Sequence, residues 1–393
     1  MPEAANTPPL SAPVITSETP GSFARGVLDK RHPALIQQVR DAFPYGPEQH
    51  QALDSLLQEI TGGAIAPLPA GTRDESAWAR WGQGYFGRSW FEVPFLWAES
   101  YFYRRLLGAV GYFERGPWQG IDPFAPFKRA ELRGSAVAEE LAALDEVADL
   151  PLEGRDRALL HGALWGNRAD LGFRISSGEA REGAGNLIVD NSALLWRHLG
   201  ASPNATVYLV ADNAGRELIP DLVLIDHLLH TGRASAVVLH VKPYPYYVSD
   251  ATMNDVIDNL RRVAEAPGRA GEIGDRLWDA MGSGRLAVRA HSFSCAPLPY
   301  ADMPEDLRDD FARATLTIFK GDLNYRRLVG DQLLPATASF ADRTSYFPGP
   351  VVALRTLKSD VIVGLDAETL AALETTGEAW RTSGTHAVIQ GGL

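Results

Sequence analysis

The second half of the chain alternates short apolar runs with helical patterns, and this alternation limits the fold more than any other feature. The runs that follow Asn186 are LIVD, TVYLVAD, AVVLHVK, LAVRAH, ATLTIFKGD and VIVGL. The segment RELIPDLVLIDHLLHTG, between the second and third runs, has the apolar spacing of a helix and ends at Gly232. A strand, a helix and another strand in this order are typical of a right-handed βαβ unit. The pattern predicts an α/β protein with a mostly parallel sheet.

The first half has a different pattern, because it is helical from His32 to about Leu160 and no convincing strand interrupts it. Five of the nine tryptophans lie in that part of the chain: Trp78, Trp81, Trp90, Trp97 and Trp118. Large rings at helical spacing usually pack between helices, so we expect an aromatic core there.

We predict three regions, because 393 residues exceed what one hydrophobic core usually organises. Residues 1–22 are rich in Pro, Ser, Thr and Ala and are expected to be a disordered tail. Residues 23–180 are expected to be a helical N-terminal region. Residues 181–393 are expected to be an α/β metal-binding catalytic region.

Charge and composition argue against several kinds of partner. The formal net charge is -12, and nucleic acids or anionic membranes need a basic surface, so neither is expected to be a partner. The single cysteine, Cys295, cannot form an internal disulfide. The start of the chain lacks the pattern of a secretory signal, and no apolar stretch of about 20 residues occurs. These features predict a cytoplasmic protein and leave its oligomeric state open.

Polar residues follow two of the predicted strands, where open parallel sheets bind their ligands. Asp212, Asn213 and Glu217 come directly after one apolar run, and Asp250 follows the next in VSDATMNDV. Two carboxylates and an amide at neighbouring strand ends are the oxygen ligands that Mg²⁺ or Mn²⁺ prefers. The alternative for each piece is structural: Asp-Asn-Ala-Gly makes a good turn, and Asp250 could cap the following helix.

Cationic side chains accompany two later runs and could neutralise phosphate oxygens. The first group, in FKGDLNYRRLVGD, consists of Lys320, Asp322, Asn324, Tyr325 and Arg326. The second, in RTLK just ahead of VIVGL, consists of Arg355, Thr356 and Lys358. The alternative is a surface helix start with ordinary ion pairs.

Five stretches in this order resemble the damage-control phosphatases, once known as domain of unknown function 89. The branch that the chain resembles most is subfamily III, the acidic-residue methyltransferase 1-like proteins. The stretches are WFEVPFLWAESYFYRRL, LWGNRADL, VADNAGREL with VSDATMNDV, FKGDLNYRRL, and RTLKSDVIVGL. Asp212 and Asp250 are 38 residues apart (250 minus 212), which is similar to the spacing of the family's metal ligands.

The resemblance implies a Rossmann-like three-layer α/β/α fold with an N-terminal helical bundle. It also implies hydrolysis of phosphorylated metabolites such as sugar phosphates, with fructose phosphates as leading examples, supported by Mn²⁺, Co²⁺, Ni²⁺ or Mg²⁺. Carried onto this sequence, Asp212, Asn213 and Asp250 are the metal ligands and catalytic residues. The positions that contact the substrate are Glu217, Asp322, Leu323, Asn324, Tyr325, Arg326 and Lys358, with Asn167 and Asp170 as weaker additions.

Two departures from the family pattern bear on the identity of the substrate more than on the metal site. This chain has DLG where DLS is expected after WGN, and ASFADRTSYFPGP differs from the usual segment before RTLK. The attacking group is open between a metal-bound water and Asp212. The Asp-x-Asp pair of haloacid dehalogenases is absent, since the third residue is Ala214.

Two other functions stay open on the sequence. A methyltransferase that uses S-adenosylmethionine to modify protein carboxylates usually needs a glycine-rich turn directly after a strand. The nearest candidate, EGAGN at 182–186, precedes LIVD instead. A binding module would hold a phosphorylated ligand without hydrolysing it, although a complete set of metal ligands argues against this reading.

Overall fold

A computed structural model of the protein describes residues 12–166 and 186–393. Within these residues, one seven-stranded sheet has the order β1-β7-β6-β5-β2-β3-β4. All neighbouring strands are parallel except β6 and β7, which are antiparallel. The strands are β1 (Leu187–Asp190), β2 (Thr206–Val210), β3 (Ala236–Val241), β4 (Leu286–Ala290), β5 (Leu316–Lys320), β6 (Val351–Thr356) and β7 (Ala387–Gly392). The predicted α/β fold with a mostly parallel sheet is confirmed.

Helices cover both faces of the sheet and form an additional N-terminal layer. The helices of the first half are α1 (Phe23–Gly26, continued by a π-helical turn over Val27–Arg31), α2 (His32–Ala42), α3 (Pro47–Gly62), α4 (Glu75–Trp81), α5 (Phe95–Ala109), α6 (Ala125–Leu132), α7 (Ser135–Ala142), α8 (Leu144–Ala148) and α9 (Leu152–Trp165). Those of the second half are α10 (Ser192–Gly200), α11 (Leu218–His230), α12 (Met253–Ala264), α13 (Arg269–Gly282), α14 (Glu305–Phe311), α15 (Gly321–Val329), α16 (Phe340–Thr344) and α17 (Ala367–Thr375). Helix α11 is the predicted crossover helix between β2 and β3.

The hydrophobic core has three parts. Alternate residues of β2 point to opposite faces: Val207 and Leu209 pack with α9 and α11, whereas Tyr208 and Val210 pack with α14 and α15. The third part lies among α2 to α5 and contains the buried rings of Trp78, Trp90 and Trp97. The predicted aromatic core between the N-terminal helices is therefore present.

Five of the six predicted strands are correct, but VIVGL is not a strand. Residues 361–363 and 365 are buried without joining the sheet, and the apolar run before them forms β6. Side chains bind their carbonyl groups instead, since Arg355 donates to Val361 O and Gln390 Nε2 donates to Val363 O at 2.7 Å. In a short apolar run, the spacing of apolar residues does not distinguish a strand of the sheet from a buried segment outside it. Arg355 and Thr356 thus end β6.

Residues 12–22, which fall within the tail predicted over 1–22, pair with the helical region. Phe95 N–H donates to Ile15 O at 2.8 Å, and Ser17 N–H donates to Phe91 O at 3.1 Å. Ile15 and Ser17 are both buried. The segment is held by backbone pairing and by apolar packing of Ala12 and Ile15. The boundary predicted at 180/181 falls among residues that the structure does not describe and stays a prediction.

None of the described helices is long and apolar enough to cross a lipid bilayer.

Candidate active site

The first part of the site is the turn that follows β2. Gly215 has φ +64, a backbone conformation that glycine adopts without strain, and it begins the 3₁₀ turn that leads into α11. Asn213 Nδ2 donates to Asp212 Oδ2 at 3.1 Å and to Glu217 Oε2 at 2.9 Å. The three oxygen-bearing side chains predicted from this segment therefore lie together at the carboxyl edge of the sheet.

The second part, Asp250, lies beside the first although it follows a different strand. Asn213 and Asp250 form an antiparallel backbone bridge, and Ala251 N–H donates to Asp212 O at 2.9 Å. The residue that caps α12 is Thr252, which exchanges hydrogen bonds with Asp255 in a capping box. Asp250 is therefore not required as a helix cap.

The third part, the start of α15, and the fourth, the segment after β6, lie at the same edge of the sheet. Gly321 begins α15 with φ +82, and a Cβ atom built on it would lie 1.9 Å from Asp212 Oδ2. Only glycine allows α15 to start this close to the carboxylate. Lys358, which follows β6 and is partly exposed, places its Nζ 3.7 Å from Glu217 Oε1. All four sequence segments thus meet at the carboxyl ends of β2, β3, β5 and β6.

Negative charge is concentrated at this edge. Burial, followed by the charges of Glu217 and Asp250, raises the pKa of Asp212 well above its ordinary value, although Lys358 and Lys242 oppose the shift. Burial also raises the pKa of Asp250, against the opposing effect of Lys242. A bound cation would relieve the same repulsion between carboxylates.

The donor atoms fit a hard divalent cation. Asp250 Oδ2 is buried and makes no hydrogen bond of normal geometry to the described residues, although Lys242 Nζ is 3.2 Å away. The Asn213 amide lies between two carboxylates, so its oxygen could join theirs after rotation of the amide. Among residues 12–166 and 186–393, no three His, Cys, Asp or Glu side chains form a ready-made metal site. The predicted donor set of Asp212, Asn213 and Asp250 contains two carboxylates and would use the amide oxygen as its third donor.

The predicted substrate residues in α15 have side chains directed into the protein. Leu323 is buried. Asn324 Nδ2 donates to Ala211 O at 3.0 Å, which fixes α15 against the end of β2. Tyr325 donates its hydroxyl to Gln390 Oε1 at 2.8 Å. These side chains hold the helix in place, and their contact with a substrate stays a prediction.

Arg326 is also buried and is neutralised by two carboxylates. Its Nε is 2.7 Å from Asp331 Oδ1, and its Nη1 is 3.3 Å from Glu99 Oε2. The two remaining predicted substrate residues, Asn167 and Asp170, lie outside the described residues.

Asp322 joins the GDLNYR segment to the RTLK segment. Its carboxylate accepts hydrogen bonds from Arg355 Nε at 2.9 Å and from Ser359 Oγ at 3.0 Å. Burial alone would raise the pKa of Asp322, but the charges of Arg355 and Arg326 outweigh it and hold the pKa below its ordinary value. The backbone that presents Lys358 is thereby fixed, because Lys358 N–H also points at Asp322 Oδ1, at 3.3 Å.

Replacement of Asp322 is expected to reduce stability strongly. Arg355 is fully buried, so Asp322→Asn would leave its charge without a carboxylate, at a cost of roughly 3–5 kcal/mol in the free energy of unfolding. Urea denaturation followed by circular dichroism measures this loss. The control is Glu374→Gln, which removes the exposed pair with Arg381 and should cost less than about 1 kcal/mol. Equal stability of the two variants would contradict this role for Asp322.

Buried lysines near the site were missed in the sequence analysis. Lys242 pairs with Asp250, and Lys128 Nζ lies 3.2 Å from Asp250 O and 2.9 Å from Asp255 Oδ2. The sequence does point to Lys242, because a lysine directly after an apolar strand and near predicted ligands needs a partner of opposite charge if it is buried. Lys128 had none, because it is 122 residues from Asp250 in the chain.

Comparison with known proteins identifies the family of the chain. The sequence profile of the damage-control phosphatase ARMT1-like domain matches residues 27–373. The chain belongs to this family. Proteins named damage-control phosphatase ARMT1 from Xenopus laevis and Danio rerio are 32% and 30% identical to it. The alignments cover 98% of this chain in both cases, with 98% of the Xenopus protein and 97% of the Danio protein.

The fold of this family member also matches a solved structure. The crystal structure of a DUF89 family protein from Pyrococcus horikoshii aligns with a TM-score of 0.51. The alignment covers 93% of this chain and 96% of the other, at 15% sequence identity. At this identity the match supports the fold alone, and the family assignment rests on the sequence comparisons. The resemblance inferred from the five stretches is confirmed.

Proposed function

We propose that this family member is a metal-dependent phosphomonoester hydrolase that acts on phosphorylated metabolites such as sugar phosphates, with fructose phosphates as the first candidates. The observation that carries the proposal is the convergence of Asp212, Asn213 and Asp250 at one sheet edge. The start of α15 and Lys358 face the same place. Membership of a damage-control phosphatase family supports the same reaction class.

The three oxygen-bearing side chains would hold the divalent cation, with Mn²⁺, Co²⁺, Ni²⁺ and Mg²⁺ as candidates. When bound, such a cation polarises the phosphoryl group and neutralises its charge. Asp212 and Asp250 supply carboxylate oxygens, and Asn213 supplies an amide oxygen. Lys242 and Lys128 keep Asp250 in place from the protein side.

The phosphate oxygens would be bound by two groups of this chain. The first is the N-terminus of α15, which no side chain caps, so its leading backbone N–H groups suit an anion. The second is the ammonium group of Lys358, which Glu217 holds near the site. We assign this direct contact to Lys358 rather than to Arg326, because Arg326 is buried between Asp331 and Glu99.

Asp212 is the residue that we assign to the attack step, since it lies among Asn213, Glu217 and Gly321. In the first role its carboxylate forms a bond to phosphorus while the ester phosphorus–oxygen bond breaks, the leaving alcohol takes a proton from water, and a second water then releases phosphate. In the second role it accepts the proton of the attacking water while the same ester bond breaks and the alcohol leaves. Acid quenching during the first turnover of ³²P-labelled substrate separates the two roles. Only attack by the carboxylate itself leaves label on the protein.

The test of the proposed function is phosphate release from a panel of sugar phosphates and p-nitrophenyl phosphate. The protein is first treated with a chelator and then supplied with each of the four cations separately. We expect no release after chelation and restored release with at least one cation, with fructose phosphates among the better substrates. No release with any cation would refute the proposal, and methyl transfer to protein carboxylates and binding without turnover would then be tested.

A further inference from the structure

The backbone just before Asp250 has an unfavourable conformation. Tyr247 and Val248 have φ values of +46° and +66°, in the left-handed region that favours glycine. Among the described non-glycine residues, only Asn204 also has a positive φ, and asparagine tolerates it better than a β-branched residue does. Two consecutive residues of this kind persist only where surrounding contacts fix them.

Helix α5 supplies such contacts. The Tyr247 ring stacks on Tyr103, with ring centroids 4.8 Å apart and an interplanar angle of 25°. The neighbouring Tyr246 donates its hydroxyl to Ser100 Oγ at 2.7 Å. Within the loop, Ser249 N–H donates to Tyr247 O at 2.8 Å and closes the turn. The rings of the helical layer thus hold the strained residues directly before the carboxylate.

Helix α6 holds the other side of Asp250. Lys128 is buried, and its ammonium donates to the backbone carbonyl of Asp250 and to the carboxylate of Asp255. Asp255 in turn closes the capping box of α12. The helical layer therefore contacts the chain on both sides of Asp250: α5 binds Tyr246 and Tyr247 before it, and Lys128 of α6 binds its backbone carbonyl.

We propose that Tyr247 and Val248 are positioning residues whose left-handed backbone, held by α5, keeps Asp250 ready to bind the metal ion. This inference rests on the proposed function. A β-carbon at residue 248 restricts the loop to few conformations, whereas glycine would allow many. A looser loop would have to be ordered when metal binds, and that ordering weakens binding.

The experiment compares Val248→Gly with Val248→Ala and measures Mn²⁺ binding by isothermal titration calorimetry after chelation. Val248→Gly is expected to raise the dissociation constant about tenfold, the effect typical of losing an outer-shell support of a metal ligand. Val248→Ala keeps the β-carbon and should stay within about twofold of the natural protein. Asn204→Gly is the matched control, because it makes the same backbone change between α10 and β2, away from the site.

Thermal unfolding of the metal-free proteins shows whether the effect is local. Because glycine removes the strain at residue 248, the melting temperature of Val248→Gly should not fall below that of Val248→Ala. Weaker Mn²⁺ binding without lower stability identifies a positioning role, which a merely structural role would not produce. Unchanged affinity of Val248→Gly overturns this inference alone. Failure of the natural protein to bind any of the four cations overturns the proposed function together with it.

Discussion

Asp250→Asn is expected to reduce phosphate release by about 10²- to 10³-fold, the scale associated with losing one group that stabilises charge in a transition state. The substitution keeps the shape of the side chain and an oxygen for Lys242, whose ammonium lies 3.2 Å from the carboxylate. It removes the negative charge that a divalent cation requires. Steady-state release of phosphate in Mn²⁺ and calorimetric titration with Mn²⁺ should both show the loss.

The control for this variant is Asp279→Asn, an exposed carboxylate of α13, which should behave as the natural protein does. Circular dichroism confirms that both variants are folded. Near-normal activity of Asp250→Asn would exclude Asp250 as a metal ligand, and the site would have to be reassigned.

Gly321→Ala is expected to reduce activity by about 100-fold, because displacement of a reacting group by about 1 Å has an effect of that size. The new methyl group would lie 1.9 Å from Asp212 Oδ2 and 2.0 Å from its carboxyl carbon. Either the carboxylate or the start of α15 must move. Both carry parts of the proposed site, so phosphate release measures the displacement whichever of them moves.

Gly84→Ala is a matched control, since Gly84 has φ +81 and its added methyl group would have no atom within 4 Å. Both variants should lose about 1 kcal/mol of stability through backbone strain. Only Gly321→Ala should lose activity. If the two lose activity equally, strain rather than contact with Asp212 explains the effect.

The sequence was sufficient to predict where the candidate segments would meet. Parallel strands end at one edge, so residues that follow different strands, such as Asp212 and Asp250, are brought together by the topology alone. The clear apolar runs made β1 to β5 recognisable. The fold and the meeting of four segments followed from these local patterns.

Features that depend on distant partners could not be predicted. The VIVGL run resembles a strand, but Arg355 and Gln390 bind its carbonyl groups in place of a neighbouring strand. Strand β7 contains Gln390 and ends in two glycines, so its composition gave no strand signal. The burial of Arg326 likewise depends on Glu99, which is 227 residues away in the chain.

The contacts of Tyr103 and Lys128 also decide what can be removed from this protein. A fragment that begins at residue 181 would contain all three proposed metal ligands. It would lack the Tyr103 ring that stacks on Tyr247 and the Lys128 ammonium that donates to the backbone carbonyl of Asp250. Asp255 would lose its buried cation as well. A minimal enzyme or a chimera built from this sheet therefore has to carry helices α5 and α6 with it.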